Sequence, residues 1–209
     1  MRDLFRGELV RLTMEEPEPR AKTEVRWQRD SEFVRLADAD PILMVSEKKL
    51  KDWVEKQIEN GFESKRYSFS IRALAEDKFI GFFGLWVDLI HNEAWVGIGI
   101  GEREFWGKGY GTDAMRIVLR YAFTELNLHR VSATVFGYNR PSQALMERLG
   151  FQREGAYRQL LLRARHGVEA AALRQLVDSR TLPLKFSGRE VIPQSAGRLN
   201  SNPRVAELG

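Results

Sequence analysis

Apolar positions along this chain follow two periods. Met115, Val118, Leu119, Ala122 and Leu126 recur at the spacing of one helix face, with Arg116, Arg120 and Glu125 left for other faces. Upstream, Ala94, Val96, Ile98 and Ile100 alternate with Trp95, Gly97, Gly99 and Gly101, the two-residue period of a strand. Glycines inside a strand mark a bulge or a close approach to the backbone, and here they leave one face nearly bare beyond Trp95. Ser46 is placed to cap a helix running to Asn60, in which Leu50, Trp53, Val54, Gln57 and Ile58 share a face and Gly61 ends the run. The charged stretch from Arg20 to Ala37, punctuated by Val25, Phe33, Val34 and Leu36, predicts helix with a break at Asp30-Ser31. Phe69, Ile71 and Ala73 alternate with Ser68, Ser70 and Arg72; Glu76-Asp77-Lys78 turns the chain into Phe79 to Val87, a hairpin of two strands. Arg130 to Phe136 reads as a further strand, and Pro141 to Leu149 as a short helix closed by Gly150. From its residues alone Glu169 to Leu176 stays ambiguous, because Ala170-Ala171-Ala172 favours helix.

Between the glycine-bearing strand and the amphipathic helix lies Phe105-Trp106-Gly107-Lys108-Gly109-Tyr110-Gly111-Thr112. Alternating glycines permit positive φ and bring bare N–H groups toward one point, while the following helix adds the positive end of its dipole. The segment is therefore read as a phosphate pocket, the alternative being a glycine-rich turn without a ligand. Two common phosphate loops fail on spacing. A Walker-type loop encloses four residues before Gly-Lys and then places a hydroxyl for magnesium; Gly101 to Gly107 encloses five, and Gly109 stands where the hydroxyl belongs. A dinucleotide fingerprint needs Gly-x-Gly-x-x-Gly, whereas these glycines recur every second residue.

A second ordered motif follows: Asn139-Arg140-Pro141-Ser142, then Met146-Glu147-Arg148-Leu149-Gly150-Phe151. Taken together, Ala94 to Phe151 resembles the core of the GNAT acetyltransferase superfamily, specifically its RimJ/RimL-like branch. Gly7-Glu8-Leu9-Val10-Arg11-Leu12 resembles the branch's opening strand, and Arg26-Trp27 with Asp30 its first helical region. The resemblance implies an α/β (α+β) GNAT fold, a mixed, mostly antiparallel twisted sheet flanked by helices, with Glu169 to Leu176 as a final strand. It implies one domain over residues 1–181, followed by an extension over 182–209 that is either flexible or in contact with a partner copy, as in a homodimer.

Composition agrees without choosing among enzymes. A chain of 209 residues, 43% of them apolar, can bury one good-sized core. Its apolar runs are short and broken by charge, and Met1 to Arg6 has no signal-peptide apolar block, so no membrane partner and a cytoplasmic location are expected. Absence of cysteine removes disulfides, thiolate metal sites and a cysteine nucleophile. The formal charge of +4 is spread among alternating acids and bases, which argues against a nucleic-acid partner. No metal site is read.

What the resemblance implies is direct acetyl transfer from acetyl-CoA to a primary amine, either a small molecule such as a polyamine or a protein N-terminus, with no covalent enzyme intermediate. Gly107, Lys108, Gly109, Tyr110, Gly111 and Thr112 would take the pyrophosphate, the backbone around Ile98 and Ile100 the pantetheine arm, and Asn139 that arm through its side-chain amide. Asp113, in the first helical turn, should point away from the phosphates. Many relatives carry a general base where this chain has Trp95 and a Tyr acid where it has Met146. Glu93, two residues earlier on the same strand face and about 7 Å away, is the candidate base; His91 is a second. Ser142 is the candidate acid, or else a helix N-terminal residue that satisfies backbone amides. A non-catalytic acyl-CoA-binding or regulatory module is the alternative that these replacements would also fit. Glu15, Glu16 and Glu18 give a faint preference for cationic acceptors.

Overall fold

The alternations that predict strands are realised as one mixed sheet in the computed structural model, which describes residues 3–40, 42–59, 65–163 and 166–176. Its strands are β1 (Val10–Thr13), β2 (Arg66–Ala73), β3 (Lys78–Asp88), β4 (Glu93–Ile100), β5 (Arg130–Phe136), β6 (Gln152–Arg163) and β7 (His166–Leu176). They lie side by side in the order β1-β2-β3-β4-β5-β7-β6. Only β4 and β5 run parallel; every other pairing is antiparallel. The helices are α1 (Pro17–Gln28), α2 (Ser31–Ala37), α3 (Glu47–Glu59), α4 (Tyr110–Thr124) and α5 (Arg140–Arg148). The expected break after α1 is a cap: Asp30 Oδ1 accepts from the N–H groups of Glu32 and Phe33 and starts α2. Ser46 Oγ accepts from Lys49 N–H at 3.2 Å and starts α3.

One difference from the sequence reading concerns the end of the domain. The segment after Phe151 is a strand, β6, which the periodicity did not indicate because Gln152 to Arg158 carries no apolar alternation. The alanine run at Ala170–Ala172 lies in strand β7, since pairing to β5 on one side and β6 on the other overrides local helix preference. The proposed boundary at 181 and the extension over 182–209 lie outside the described residues.

The main core fills the space between the sheet and α4. Ile71, Phe83, Leu85, Ala94, Val96 and Val131 from the strands meet Met115, Val118, Leu119 and Ala122 from α4, all buried. The predicted helix stripe is therefore the face that packs. The opposite sheet face carries α1 and a smaller aromatic cluster in which Trp27, Phe33, Val34 and Phe79 are buried together.

Candidate active site

The site begins where two strands part. Strand β4 pairs with β5 only through Glu93↔Arg130, Ala94↔Val131 and Trp95↔Ser132; beyond Trp95 the two diverge. Gly101 N–H donates to Ile80 C=O at 2.8 Å, in register with the β3 ladder. Because an antiparallel ladder alternates, the main-chain groups of Gly97 and Gly99 face β3, and those of Val96, Ile98 and Ile100 face the gap. One of these acceptors is already engaged: Trp106 Nε1 donates to Ile100 C=O at 2.7 Å.

At the open end of the gap the chain makes its glycine loop. Gly107 and Gly109 have φ of +72° and +91°. Gly111 is already helical, so its missing Cβ serves another end: a methyl there would stand 3.1 Å from Leu145 of α5. Two glycines, not three, thus supply the positive φ expected of the loop. The first bond of α4 runs from Asp113 N–H to Gly109 C=O, so the N–H groups of Tyr110, Gly111 and Thr112 have no partner in the helix. Tyr110 packs edge-on against Phe105 with centroids 4.9 Å apart, Thr112 is buried and Lys108 is exposed. Asp113 does point away: its Oδ2 accepts from the N–H groups of Leu9 and Val10 at 2.8 and 3.0 Å, tying the first strand to α4. Beneath the loop, Glu102 is buried and accepts from Trp27 Nε1, Arg26 and Lys78. Burial pushes its carboxyl up, but the hydrogen bonds from Trp27, Arg26 and Lys78 outweigh that and hold it below its ordinary value.

The glycine face of β4 is not bare. A Cβ at Gly99 would meet the Phe82 ring at 2.8 Å, one at Gly84 the Trp86 ring at 2.7 Å, and one at Gly101 would collide with the Trp27 indole. These glycines seat aromatic rings from β3 and α1, a role that strand spacing alone cannot distinguish from ligand approach. Register sets Arg66, Trp86, Trp95 and Ser132 in one row across β2, β3, β4 and β5 on this face. Ser132 stands in the last β4–β5 pair before those strands part, and the row runs on in register to Arg174 of β7; Ser132 is 1% exposed, and its Oγ has no hydrogen-bond partner among the described residues.

A model of the acetyltransferase (GNAT) domain matches residues 11–152, more than half of the chain. The chain belongs to the GNAT acetyltransferase family. The uncharacterized N-acetyltransferase p20 of Bacillus licheniformis is 32% identical over 134 residues, covering 64% of this chain and 74% of that protein. Among solved structures, the ribosomal-protein-S5-alanine acetyltransferase of Vibrio fischeri superposes with a TM-score of 0.70 at 20% identity, over 83% of this chain and 96% of that one. Spermidine N-acetyltransferase of Vibrio cholerae, in complex with CoA and spermine, also gives a TM-score of 0.70, at 22% identity over 80% and 95% of the two chains. This GNAT domain is thus an acyl-CoA-dependent N-acetyltransferase, and the open donors of its loop beside the strand gap fit an acyl-CoA.

The proton-transfer candidates of this GNAT enzyme are more occupied than the sequence suggested. The Glu93 carboxylate is held by Arg130 of β5. His91 lies exposed in the β3–β4 turn, where Nδ1 contacts Asp88 at 3.0 Å, and that hydrogen bond raises the imidazole above its usual range. Asn139 uses both side-chain atoms inside the protein: Oδ1 accepts from Ser142 N–H at 3.1 Å, capping α5, and Nδ2 donates to Leu36 C=O at 3.0 Å. Its amide positions α5 against α2, and each of its two polar atoms keeps capacity for one further hydrogen bond. Ser142 stands half-buried in the first turn of α5, one turn before buried Met146. The acids near the start of α1 are paired outward, Glu15 with Arg72 at 2.7 Å and Glu18 with Lys51 at 3.3 Å. Ser132, Arg66 and Arg20 escaped the sequence reading because no motif marks them; only strand register and helix packing bring them to one face.

Proposed function

We propose that the enzyme, a member of the RimJ/RimL-like branch, transfers an acetyl group from acetyl-CoA to a primary amine by direct attack within a ternary complex. The observation that carries this is the set of unfilled main-chain donors at Tyr110, Gly111 and Thr112, set beside a gap whose β4 edge is unpaired beyond Trp95. Those donors and the positive loop glycines take the diphosphate, with Lys108 adding charge at the surface. The outward main-chain groups of Val96 and Ile98 receive the amide-bearing arm as a strand would. Ile98, Ile100 and Leu145 line it with apolar surface.

Acetyl-CoA supplies an acyl group already activated as a thioester. The amine nitrogen forms a bond to the acyl carbon, the carbon–sulfur bond breaks, and the sulfur leaves with a proton from Ser142. A β4 main-chain N–H facing the gap stabilises the oxyanion by about 3 kcal/mol. The Ser132 hydroxyl, unpaired at the crotch of the strands, orients the acyl group or the incoming amine. Glu93 takes the amine proton through water on the carboxylate oxygen that Arg130 does not bond, and Ser142 regains its proton from solvent.

Calorimetric titration with acetyl-CoA and a thiol-release assay against amines and N-terminal peptides test this reading. Micromolar binding, with kcat at least about tenfold lower in Ser142→Ala, is expected. Absence of acetyl-CoA binding would overturn the proposal. Unchanged turnover in both Ser142→Ala and Glu93→Gln would remove their roles and leave the enzyme class standing.

A further inference from the structure

Two guanidinium groups on the α1 side of the sheet have more donors than the protein gives them acceptors. Arg20 of α1 is only 3% exposed; its Nε donates to Glu24 at 2.7 Å, while its Nη1 is buried without a partner. Arg66 of β2 has a buried Nε, also without a partner among the described residues. Its guanidinium lies between two indoles, 4.8 Å from the Trp86 ring centroid and 5.8 Å from that of Trp53. Aromatic faces stabilise such a cation but accept no conventional hydrogen bond. Among the described residues Glu24 is the one carboxylate bonded to the pair, two cations against one anion. Burial pushes Glu24 toward its neutral form, with Arg20 opposing the shift. Arg66 is lowered first by burial and then by the charge of Arg20, so the two cations feel each other. Leaving such buried donors unfilled is costly, and a ligand anion would relieve it.

Their place on the sheet says which ligand. Arg66, Trp86, Trp95 and Ser132 lie in the row that crosses β4 and β5 at their last pair before they part, where the proposed transfer occurs. Arg66 reaches over Trp86, so its guanidinium stands about one and a half strand spacings, roughly 7 Å, from that crotch. Between them the floor is apolar and open: Trp86 is 42% exposed and Trp95 37%. In the neighbouring row Glu93 is paired with Arg130 and Asp88 with His91.

We infer that the acceptor is a primary amine bearing a carboxylate roughly 7 Å from its nitrogen, with the carboxylate bound by half-buried Arg66, the charge of buried Arg20 behind it, and the connecting chain lying across Trp86 and Trp95. This deepens the proposed function and rests on it. A polycation such as spermine would meet two guanidinium groups in this position and be repelled. The same chemistry comes either from a free ω-amino acid or from a peptide whose second residue is Glu or Asp.

The test is a thiol-release series with acetyl-CoA in which ω-amino acids, from 3-aminopropanoate to 8-aminooctanoate, are paired with alkylamines of equal length. Spermidine and peptides with Glu, Asp or Ala as the second residue complete the set. An optimum near 6-aminohexanoate is expected, with kcat/KM about tenfold or more above hexylamine; peptides with an acidic second residue that exceed every ω-amino acid would name the peptide as the source. Arg66→Gln should remove the carboxylate advantage while leaving hexylamine turnover and acetyl-CoA affinity unchanged. That affinity also reports folding, and it matters because Arg20 variants break a buried pair. Quenching of Trp53 and Trp86 fluorescence by 6-aminohexanoate, absent with hexylamine and lost in Arg66→Gln, gives a readout independent of turnover. Equal or better turnover of alkylamines or spermidine, or quenching that ignores the carboxylate, overturns the inference while acetyl-CoA binding still upholds the enzyme. Failure of acetyl-CoA to bind strikes the underlying reading instead.

Discussion

The loop from Gly107 to Thr112 and the roof of α1 and α3 flank the same sheet, yet the first presents main-chain donors and the second presents side chains. At the loop, recognition is written into backbone conformation: φ of +72° and +91° at two glycines, and three N–H groups left over by a helix start. Any residue with a Cβ spoils it, so the sequence must spell it in glycine. On the α1 side, recognition depends on Arg20, Arg66, Trp53 and Trp86, drawn from four elements and meeting only after folding. A backbone site serves a cosubstrate shared by many enzymes; a side-chain site is free to be rewritten for each acceptor.

The harshest way to break this contrast is at Gly101, which joins the two regions by seating the Trp27 indole beside the loop. Gly101→Ala should cost about 3 kcal/mol of stability, because the ring has buried neighbours and no room to retreat. A shift of the urea midpoint measures it, and a loss under about 1 kcal/mol would mean that the roof is loosely packed. Gly109→Ala acts on the loop alone. It should weaken acetyl-CoA binding about tenfold in calorimetry and leave KM for the amine unaltered, since a Cβ at φ of +91° strains the donors.

Ser132→Ala sharpens the comparison from the crotch. Its hydroxyl is buried and unpaired, so its removal should raise stability by up to about 1 kcal/mol while kcat falls. A fall in both would assign Ser132 to packing. The smallest effect is expected at Asp30, which caps α2 and is hydrogen-bonded by Arg103 from the turn before the loop, at 2.5 and 2.7 Å. The Arg103 hydrogen bond, with help from the α2 cap, holds Asp30 at about 2, below its usual 3.8. Unfolded chain therefore binds this proton first as the pH falls. The linked stability is complete above 3.8 and drains away as the pH drops toward about 2. Asp30→Asn should flatten that part of a stability–pH profile measured in urea.

Much of the fold was readable because its signals are local. The apolar stripe on Met115 to Ala122, the caps at Asp30 and Ser46 and the alternation in β3 and β4 each depend on neighbours a few residues away. Strand β6 was not, since its first residues carry no apolar alternation and its pairing comes from β7. The loop was legible for the same reason as the helices. Asn139 was legible as a motif position, whereas its hydrogen bonds with Ser142 and Leu36 came only with the fold.

By itself the sequence determined the helices and strands up to Phe151, the glycine turn at the start of α4 and, through two ordered motifs, the family. Only the tertiary structure decided that the β4 glycines hold aromatic rings, that Glu93 is tied to Arg130, and that Arg20 and Arg66 converge beside the parting strands. The reason is range. Glycine geometry and periodic burial act within a few residues, whereas these pairings close loops of tens of residues, and nothing in the intervening chain records which side chains will meet.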